Sequence, residues 1–340
     1  MTAKKQGFGL QWHVTDLCDQ RCRHCYIFNN GDDSGRKGEL SLKEAFRISD
    51  LFLQFCKSIN RTPSISVTGG DPLLYKVIWR LLESFKTKGI NFSIMGNPFH
   101  LDAESCERLR YLGCHHYQMS MDGLRETHDT IRKKGSFNET VAKIKLLKKH
   151  GVKATIMSTV SKLNYKEIPD LIRFVTAVGV DSFAFARYCP SAMDRDLILS
   201  PVEYRDLLEK CWMVFEELSE RKTIFSLKDH LWTLFLYERG LFELRGEDLI
   251  FEGCNCGIQH LTLLPDGQVY ACRRFESPVG NIATESFSDI FWGEKMEYYR
   301  QYKRFAACKN CKLLNYCRGC PAVAQCVTGD FYARDPQCWI

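Results

Sequence analysis

The 340-residue sequence has no apolar run long enough to cross a bilayer, so no helical membrane span is expected. Its opening stretch, MTAKKQGFGLQW, lacks the apolar core of a secretory signal. Internal repeats, low-complexity tracts and blocks of like charge are missing too. The 47 Lys and Arg outnumber the 41 Asp and Glu by only six, and they are scattered, which argues against a nucleic-acid footprint. Even the lysine-rich run around Lys143–Lys149 sits on an amphipathic helical pattern and reads as a solvated face. What the chain does have is cysteine, 17 residues of it. Cysteine at this density without a secretion signal points to metal or redox chemistry in a cytoplasm, not to a disulfide framework.

Hydrophobic content of 45% and charged content of 26% fit a globular protein with one large domain and a smaller one. The stretch that organises the reading is CDQRCRHC. It spaces Cys18, Cys22 and Cys25 by three and then two residues, so three thiols on a short loop can converge on a soft metal centre. A cubane iron–sulfur cluster normally takes four cysteines, and a trio leaves one iron open to another ligand. A zinc site is the competing reading, with His13 or His24 as fourth ligand.

Around this loop, strand and helix patterns alternate. Gln11–Thr15, Ser64–Thr68, Phe92–Met95, Tyr117–Met121, Ala154–Val160 and Ser182–Ala186 read as strands. Helical patterns cover Ser41–Lys57, Tyr75–Thr87, Asp102–Leu112, Asn138–Lys149 and Lys166–Val178. Ser41 and Glu44 form a capping box, and Gly113, Gly151 and Gly179 are stop signals. Regular alternation implies an α/β fold with a parallel sheet, a partial (β/α)6 TIM-like barrel whose functional residues lie at the carboxyl ends of the strands. Pro201–Arg245 reads as helical, its aromatics as core. From Phe251 onward cysteines crowd and periodicity fades. The expected division is therefore a barrel over 1–199, a helical connector over 200–250 and a small cysteine-rich, loop-rich domain over 251–340. Cys56, Cys106, Cys114, Cys189 and Cys211 read as buried small hydrophobes.

Further motifs fall at strand ends. TGGDP (Thr68–Pro72) offers glycines for close backbone approach to a ligand, or else a plain strand-to-helix turn with Pro at the helix start. SMDG (Ser120–Gly123) is followed closely by HDTIR (His128–Arg132), and the Asp122 carboxylate can accept hydroxyls while the Arg132 guanidinium can pair with a carboxylate. His128 and Asp129 read equally well as a structural pair. In the C-terminal region, LTLLPDGQVYAC reads as a hairpin turning at Asp266–Gly267, and CKNCKLLNYCRGC supplies Cys308, Cys311, Cys317 and Cys320. Paired CxxC units are also zinc-ribbon spacing.

CxxxCxxC after a strand, followed by Tyr26, resembles the signature of the radical S-adenosylmethionine (radical SAM) enzymes, with His24 where the family often has an aromatic. The resemblance implies a [4Fe-4S] cluster on Cys18, Cys22 and Cys25 that binds and cleaves S-adenosylmethionine. It assigns cofactor contacts to Tyr26, to Gly69, Gly70 and Asp71 of the GGEP-like motif, to Asn97, and to Ser120, Asp122 and Arg132. The C-terminal cysteines resemble the SPASM extension, which holds two auxiliary [4Fe-4S] clusters. Carried over, Cys308, Cys311, Cys317 and Cys338 hold the outer cluster. Cys256, Cys272 and Cys320 hold the inner one, with Cys254 a candidate fourth ligand and Cys326 left over. One departure is the two-residue gap between Cys317 and Cys320, where the family has three. SPASM enzymes mostly modify peptides or proteins, and the opening FGLQWHVTDLCDQRC resembles maturases of ribosomally made peptides. The expected function is thus oxidative modification of such a peptide, with an electron donor and a separate leader-binding protein as partners. No leader-binding domain is expected before a strand that begins by residue 11. An anaerobic sulfatase-maturating enzyme is the alternative. Those enzymes place a basic Asp after the hairpin cysteine, where this chain has Arg273. A non-enzymatic metal-binding or redox-sensing protein is the third.

Overall fold

The computed structural model describes residues 6–28, 38–245 and 253–340. In chain order its first half comprises β1 (Gly7–His13), α1 (Leu42–Ser58), β2 (Thr62–Thr68), α2 (Ile78–Lys88), β3 (Asn91–Met95), α3 (Ala103–Leu112), β4 (Tyr117–Ser120), α4 (Arg125–Ile131) and α5 (Ser136–Lys149). Then follow β5 (Ala154–Val160), α6 (Ile168–Val178), β6 (Ser182–Arg187), α7 (Pro201–Glu217), β7 (Ile224–Ser226) and α8 (Leu231–Glu238). The last part holds β8 (His260–Leu263), β9 (Gln268–Tyr270), β10 (Pro278–Asn281), α9 (Phe287–Trp292), α10 (Glu294–Glu297) and α11 (Pro321–Thr328). Among the described residues no helix is long and apolar enough to cross a membrane.

Contacts divide the chain into two compact units. The first takes the described residues of Met1–Met119, Ala142–Ala154 and Cys256–Gln301. Its strands run in the order β10-β9-β8-β1-β2-β3-β4. β1 is parallel to both neighbours, Trp12 standing opposite Val67 on β2 and Leu263 on β8. The β8–β9 hairpin is antiparallel and turns at Asp266–Gly267 as the sequence predicts. Its backbone thereby continues the sheet of β1–β4, a pairing that no local pattern announces. α1 starts at the expected capping box, Ser41 accepting from the Glu44 N–H while Glu44 accepts from the Ser41 N–H. Its Ala45, Ile48, Phe52 and Phe55 recur at three- and four-residue steps and are all buried, giving one apolar stripe. Phe8 meets Phe55 and Phe291 edge-on, each at 5.2 Å between ring centroids, so aromatic contacts join strand and helices.

The second unit takes the described residues of Ser120–Val141, Thr155–Asn255 and Tyr302–Ile340. Here β5, β6 and β7 are parallel. The expectation of a continuous helical stretch over Pro201–Arg245 is corrected. α7 stops at Glu217, and Ile224–Phe225–Ser226 forms β7 beside β6, with Ser182 opposite Ile224. A β-branched and an aromatic residue in sequence suit a strand, and pairing with β6 outweighs the helical context. Phe225 stacks on Phe215 at 4.4 Å, and Trp232 and Phe235 complete that apolar layer. The expected connector-to-cysteine boundary at 250/251 lies outside the described residues. Cys56, Cys106 and Cys211 are buried, whereas Cys114 and Cys189 are half-buried because each lies just past the end of its element.

Candidate active site

In the first unit β1 ends at His13 and feeds the cysteine loop. The TGGDP run straps that loop down. Val14 N–H donates to the Thr68 carbonyl at 2.9 Å, Gly70 N–H to Thr15 at 2.8 Å and Asp71 N–H to Leu17 at 2.7 Å. A Cβ on Gly69 would lie 2.1 Å from the Thr15 carbonyl oxygen. One on Gly70 would lie 2.2 Å from that of Leu17 and 2.8 Å from Cys18 Cβ. Only glycine permits this approach. The glycines therefore position the cysteine loop first, and the turn reading holds as well: Asp71 caps the short turn Pro72–Leu74 by accepting from Leu73 N–H. Its side chain is fully buried, Oδ2 has no hydrogen-bond partner, and burial pushes its pKa up to about 7.

Cys18, Cys22 and Cys25 are half-buried free thiols. The sulfur of Cys18 accepts from Gln20 N–H at 3.5 Å and from Asn97 Nδ2 at 3.8 Å, and the same Asn97 amide donates to Asp19 Oδ1 at 3.1 Å. Burial pushes the Cys18 thiol up and these donors pull it back. Asn97 is buried at the end of β3 and bears on the thiol, not on open space. Tyr26 Oη stands 3.3 Å from His13 Nε2, and burial plus the Arg273 charge lower His13 to about 3, leaving the imidazole neutral. The Arg273 guanidinium lies 5.8 Å from the Tyr26 ring. With the Gln11 amide oriented by its hydrogen bonds, its oxygen accepts from Arg273 Nη1 at 2.9 Å and Nε at 3.1 Å. Three thiols on one loop, amide donors on the first sulfur and a strap that fixes its base fit a cluster-binding loop. His13 entered the sequence reading only as a zinc ligand. Gln11 entered it only as the start of a strand, since its alignment with Arg273 arises through the β1–β8 pairing.

The second unit holds the remaining candidates. Ser120 is half-buried at the end of β4. Asp122 is fully buried and both its oxygens serve the fold, Oδ1 accepting from Thr159 N–H at 2.8 Å and Oδ2 from Arg132 Nε at 2.6 Å. Asp122 N–H donates to His128 Nδ1, so His128 pairs with Asp122, while Asp129 accepts from Gly135 and Phe137 N–H. Cys308, Cys311, Cys317 and Cys338 line one cavity of about 130 Å³ together with Arg318, Asp335 and the apolar Leu234, Leu313 and Ile340. That is roughly ten times the space a single water needs, room for a multi-atom core. Cys254 and Cys320 lie in this unit, where His230 hydrogen-bonds Cys254. Cys256 and Cys272 lie in the first unit. Among the described residues no three His, Cys, Asp or Glu side chains close to single-ion distances.

Sequence reading passed over Arg187. Wholly buried at the end of β6, it donates Nε to Asp229 at 2.8 Å. Nη1 and Nη2 reach the two oxygens of Asp335 at 2.7 and 2.8 Å. The strand-end rule was the one signal that pointed to it.

The radical SAM superfamily matches residues 12–175, and the iron–sulfur cluster-binding domain called SPASM matches residues 254–321. The chain is a radical SAM protein with a SPASM domain. The crystal structure of Streptococcus suis SuiB bound to S-adenosylmethionine superposes with a TM-score of 0.76 at 20% identity, covering 99% of this chain and 78% of that one. This likeness shows the shared fold, a partial TIM barrel with a cysteine-rich C-terminal region. An AdoMet-dependent heme synthase of Oleidesulfovibrio alaskensis is 26% identical over 97% of this chain and 86% of its own length. The antilisterial bacteriocin subtilosin biosynthesis protein AlbA of Bacillus subtilis is 26% identical over 91% of this chain and 66% of its own. This radical SAM protein is an enzyme whose barrel domain binds a [4Fe-4S] cluster and S-adenosylmethionine and whose SPASM domain is an iron–sulfur auxiliary-cluster domain.

Proposed function

We propose that this enzyme oxidatively modifies a residue of a ribosomally made peptide, forming a crosslink or heterocycle. The observation that carries the reading is one radical-type cysteine loop strapped by Gly69 and Gly70, in a chain whose four C-terminal thiols share a single cavity. That pairing suits chemistry in which a substrate radical is made at one centre and an electron leaves through another. AlbA, a bacteriocin biosynthesis protein, supports the peptide assignment.

In this reading Cys18, Cys22 and Cys25 hold the first cluster, and the outer auxiliary cluster sits on Cys308, Cys311, Cys317 and Cys338. The inner one takes Cys256, Cys272 and Cys320, with Cys254 held by His230 as the candidate fourth ligand. When bound, the first cluster and S-adenosylmethionine supply a 5′-deoxyadenosyl radical. The protein's own residues then have three tasks. The Gly69–Gly70 strap fixes the cysteine loop, while Asn97 and the Gln20 N–H support the Cys18 sulfur. Neutral His13 and Tyr26 flank the loop without carrying a charge into it. Arg273 replaces the base that formylglycine formation requires, which disfavours sulfatase maturation and offers a cation to an acidic substrate group. Residues 1–199 and 251–340 would act as barrel and auxiliary-cluster domains, and an external electron donor and a leader-binding partner complete the system.

A second reading, heme synthesis, is favoured by one observation: the chain spans more of the heme synthase's length than of AlbA's. Anaerobic incubation with S-adenosylmethionine and reductant, in one arm with a Cys- or Gly-rich precursor encoded beside the gene and in the other with an iron-porphyrin, separates the two. The peptide reading expects hydrogen loss from the peptide by mass spectrometry, abolished by Cys18→Ala. An unaltered peptide alongside a changed iron-porphyrin overturns it.

A further inference from the structure

The loop Cys317–Arg318–Gly319–Cys320 is one residue shorter between its cysteines than the family resemblance gives. The backbone closes the gap with two consecutive left-handed residues, Arg318 at φ +61° and Gly319 at φ +63°. Glycine suits such a position. Arginine does not, and side chains beyond Asn and Asp are uncommon there. A long cation kept in strained backbone asks for a reason, and its surroundings supply one. Arg318 is 3% exposed and turned inward. It shares the cavity with Cys308, Cys311, Cys317 and Cys338. Nη1 donates to the Leu314 carbonyl at 2.8 Å, and the guanidinium lies 5.0 Å from the Tyr302 ring, so the head group is fixed in place. The acid of the same cavity, Asp335, is already gripped by Arg187 through both oxygens. Arg318 therefore contributes a positive charge at short range to a thiol-lined cavity in a medium of low dielectric, where charge acts strongly.

We propose that Arg318 sets the reduction potential of the auxiliary cluster in this cavity. Its fixed positive charge favours the reduced, more negative state of the cluster and raises the potential, so that this cluster is the readier electron acceptor. The inference rests on the reading that Cys308, Cys311, Cys317 and Cys338 are the ligands.

The test uses the full chain, reconstituted anaerobically, as wild type, Arg318→Gly and Arg318→Lys. Glycine suits the left-handed backbone, so Arg318→Gly removes the charge without adding strain. Iron content and a potentiometric titration followed by electron paramagnetic resonance are the readouts. The expected result is undiminished iron in both variants and one cluster midpoint moved to more negative potential in Arg318→Gly. Arg318→Lys should stay near wild type, and the shift should persist at high salt, because a buried charge is poorly screened. Full iron with unshifted midpoints in Arg318→Gly overturns the proposal. So does loss of one cluster's iron from Arg318→Gly alone, which would make the cation an assembly element. Retention of all iron by Cys338→Ala would instead overturn the ligand assignment beneath it.

Discussion

Replacing Arg187 by methionine tests how the C-terminal cysteine region is built. Arg187, Asp229 and Asp335 are all essentially inaccessible, with side-chain exposures of 0%, 1% and 2%. The two carboxylates are tied in turn to backbone. Asp335 accepts from Cys320 N–H at 2.6 Å and Gln337 N–H at 2.9 Å, and Asp229 accepts from Leu231 N–H at 3.0 Å. Methionine fills much of the volume but strands two buried acids. Breaking one buried ion pair costs about 3–5 kcal/mol, a large share of the roughly 5–15 kcal/mol that holds a domain folded. For a unit of this size that corresponds to a fall in midpoint of about 6–20 °C. Thermal unfolding of the anaerobic holoenzyme, read beside iron content, is the assay. The midpoint should fall in that range, and iron should be lost from the cavity bounded by Cys317 and Cys338. Arg187→Lys keeps the charge but loses the two-pronged grip and should fall between. A midpoint within about 2 °C of wild type with full iron would refute the reasoning, because it would mean that the network neither stabilises the unit nor orders its cysteines.

Three further outcomes are expected. Gly70→Ala forces a Cβ against the Leu17 carbonyl at 2.2 Å. The strap must shift, and the S-adenosylmethionine-dependent paramagnetic signal should vanish while auxiliary iron remains. Asp71 has a folded pKa of about 7, above its unfolded 3.8. Its contribution is fully present below about pH 4 and is lost as pH rises through about 7. Asp71→Asn should therefore flatten the fall in thermal midpoint between about pH 4 and 7, and an unchanged slope would count against the burial argument. Ser41→Ala removes the capping box of α1 and should cost about 1 kcal/mol by chemical denaturation with no change in iron content.

Much of this molecule is local in origin and was therefore readable from residues alone. Ser41 with Glu44 starts α1, Gly113 and Gly179 end α3 and α6, Asp266–Gly267 turns the β8–β9 hairpin, and alternating patterns give the parallel strands. Each depends on neighbours within a few positions, where propensity, capping and periodicity act. The cysteine loop is equally local, since its chemistry lies in the spacing of Cys18, Cys22 and Cys25. Other features needed the chain to come together. The sequence offered Asp122 as a ligand contact, but Thr159 and Arg132 engage both its oxygens. Asn97 bears on Cys18 across 79 positions, and Arg187 meets Asp335 across 148. β7 appears within an apparently helical stretch because β6 offers it an edge. The sequence thus determined which elements form and which thiols are candidates. The tertiary structure decided which buried charges are paired and which polar atoms face a sulfur, because burial and long-range pairing depend on the whole packed chain and leave no mark at short sequence distance.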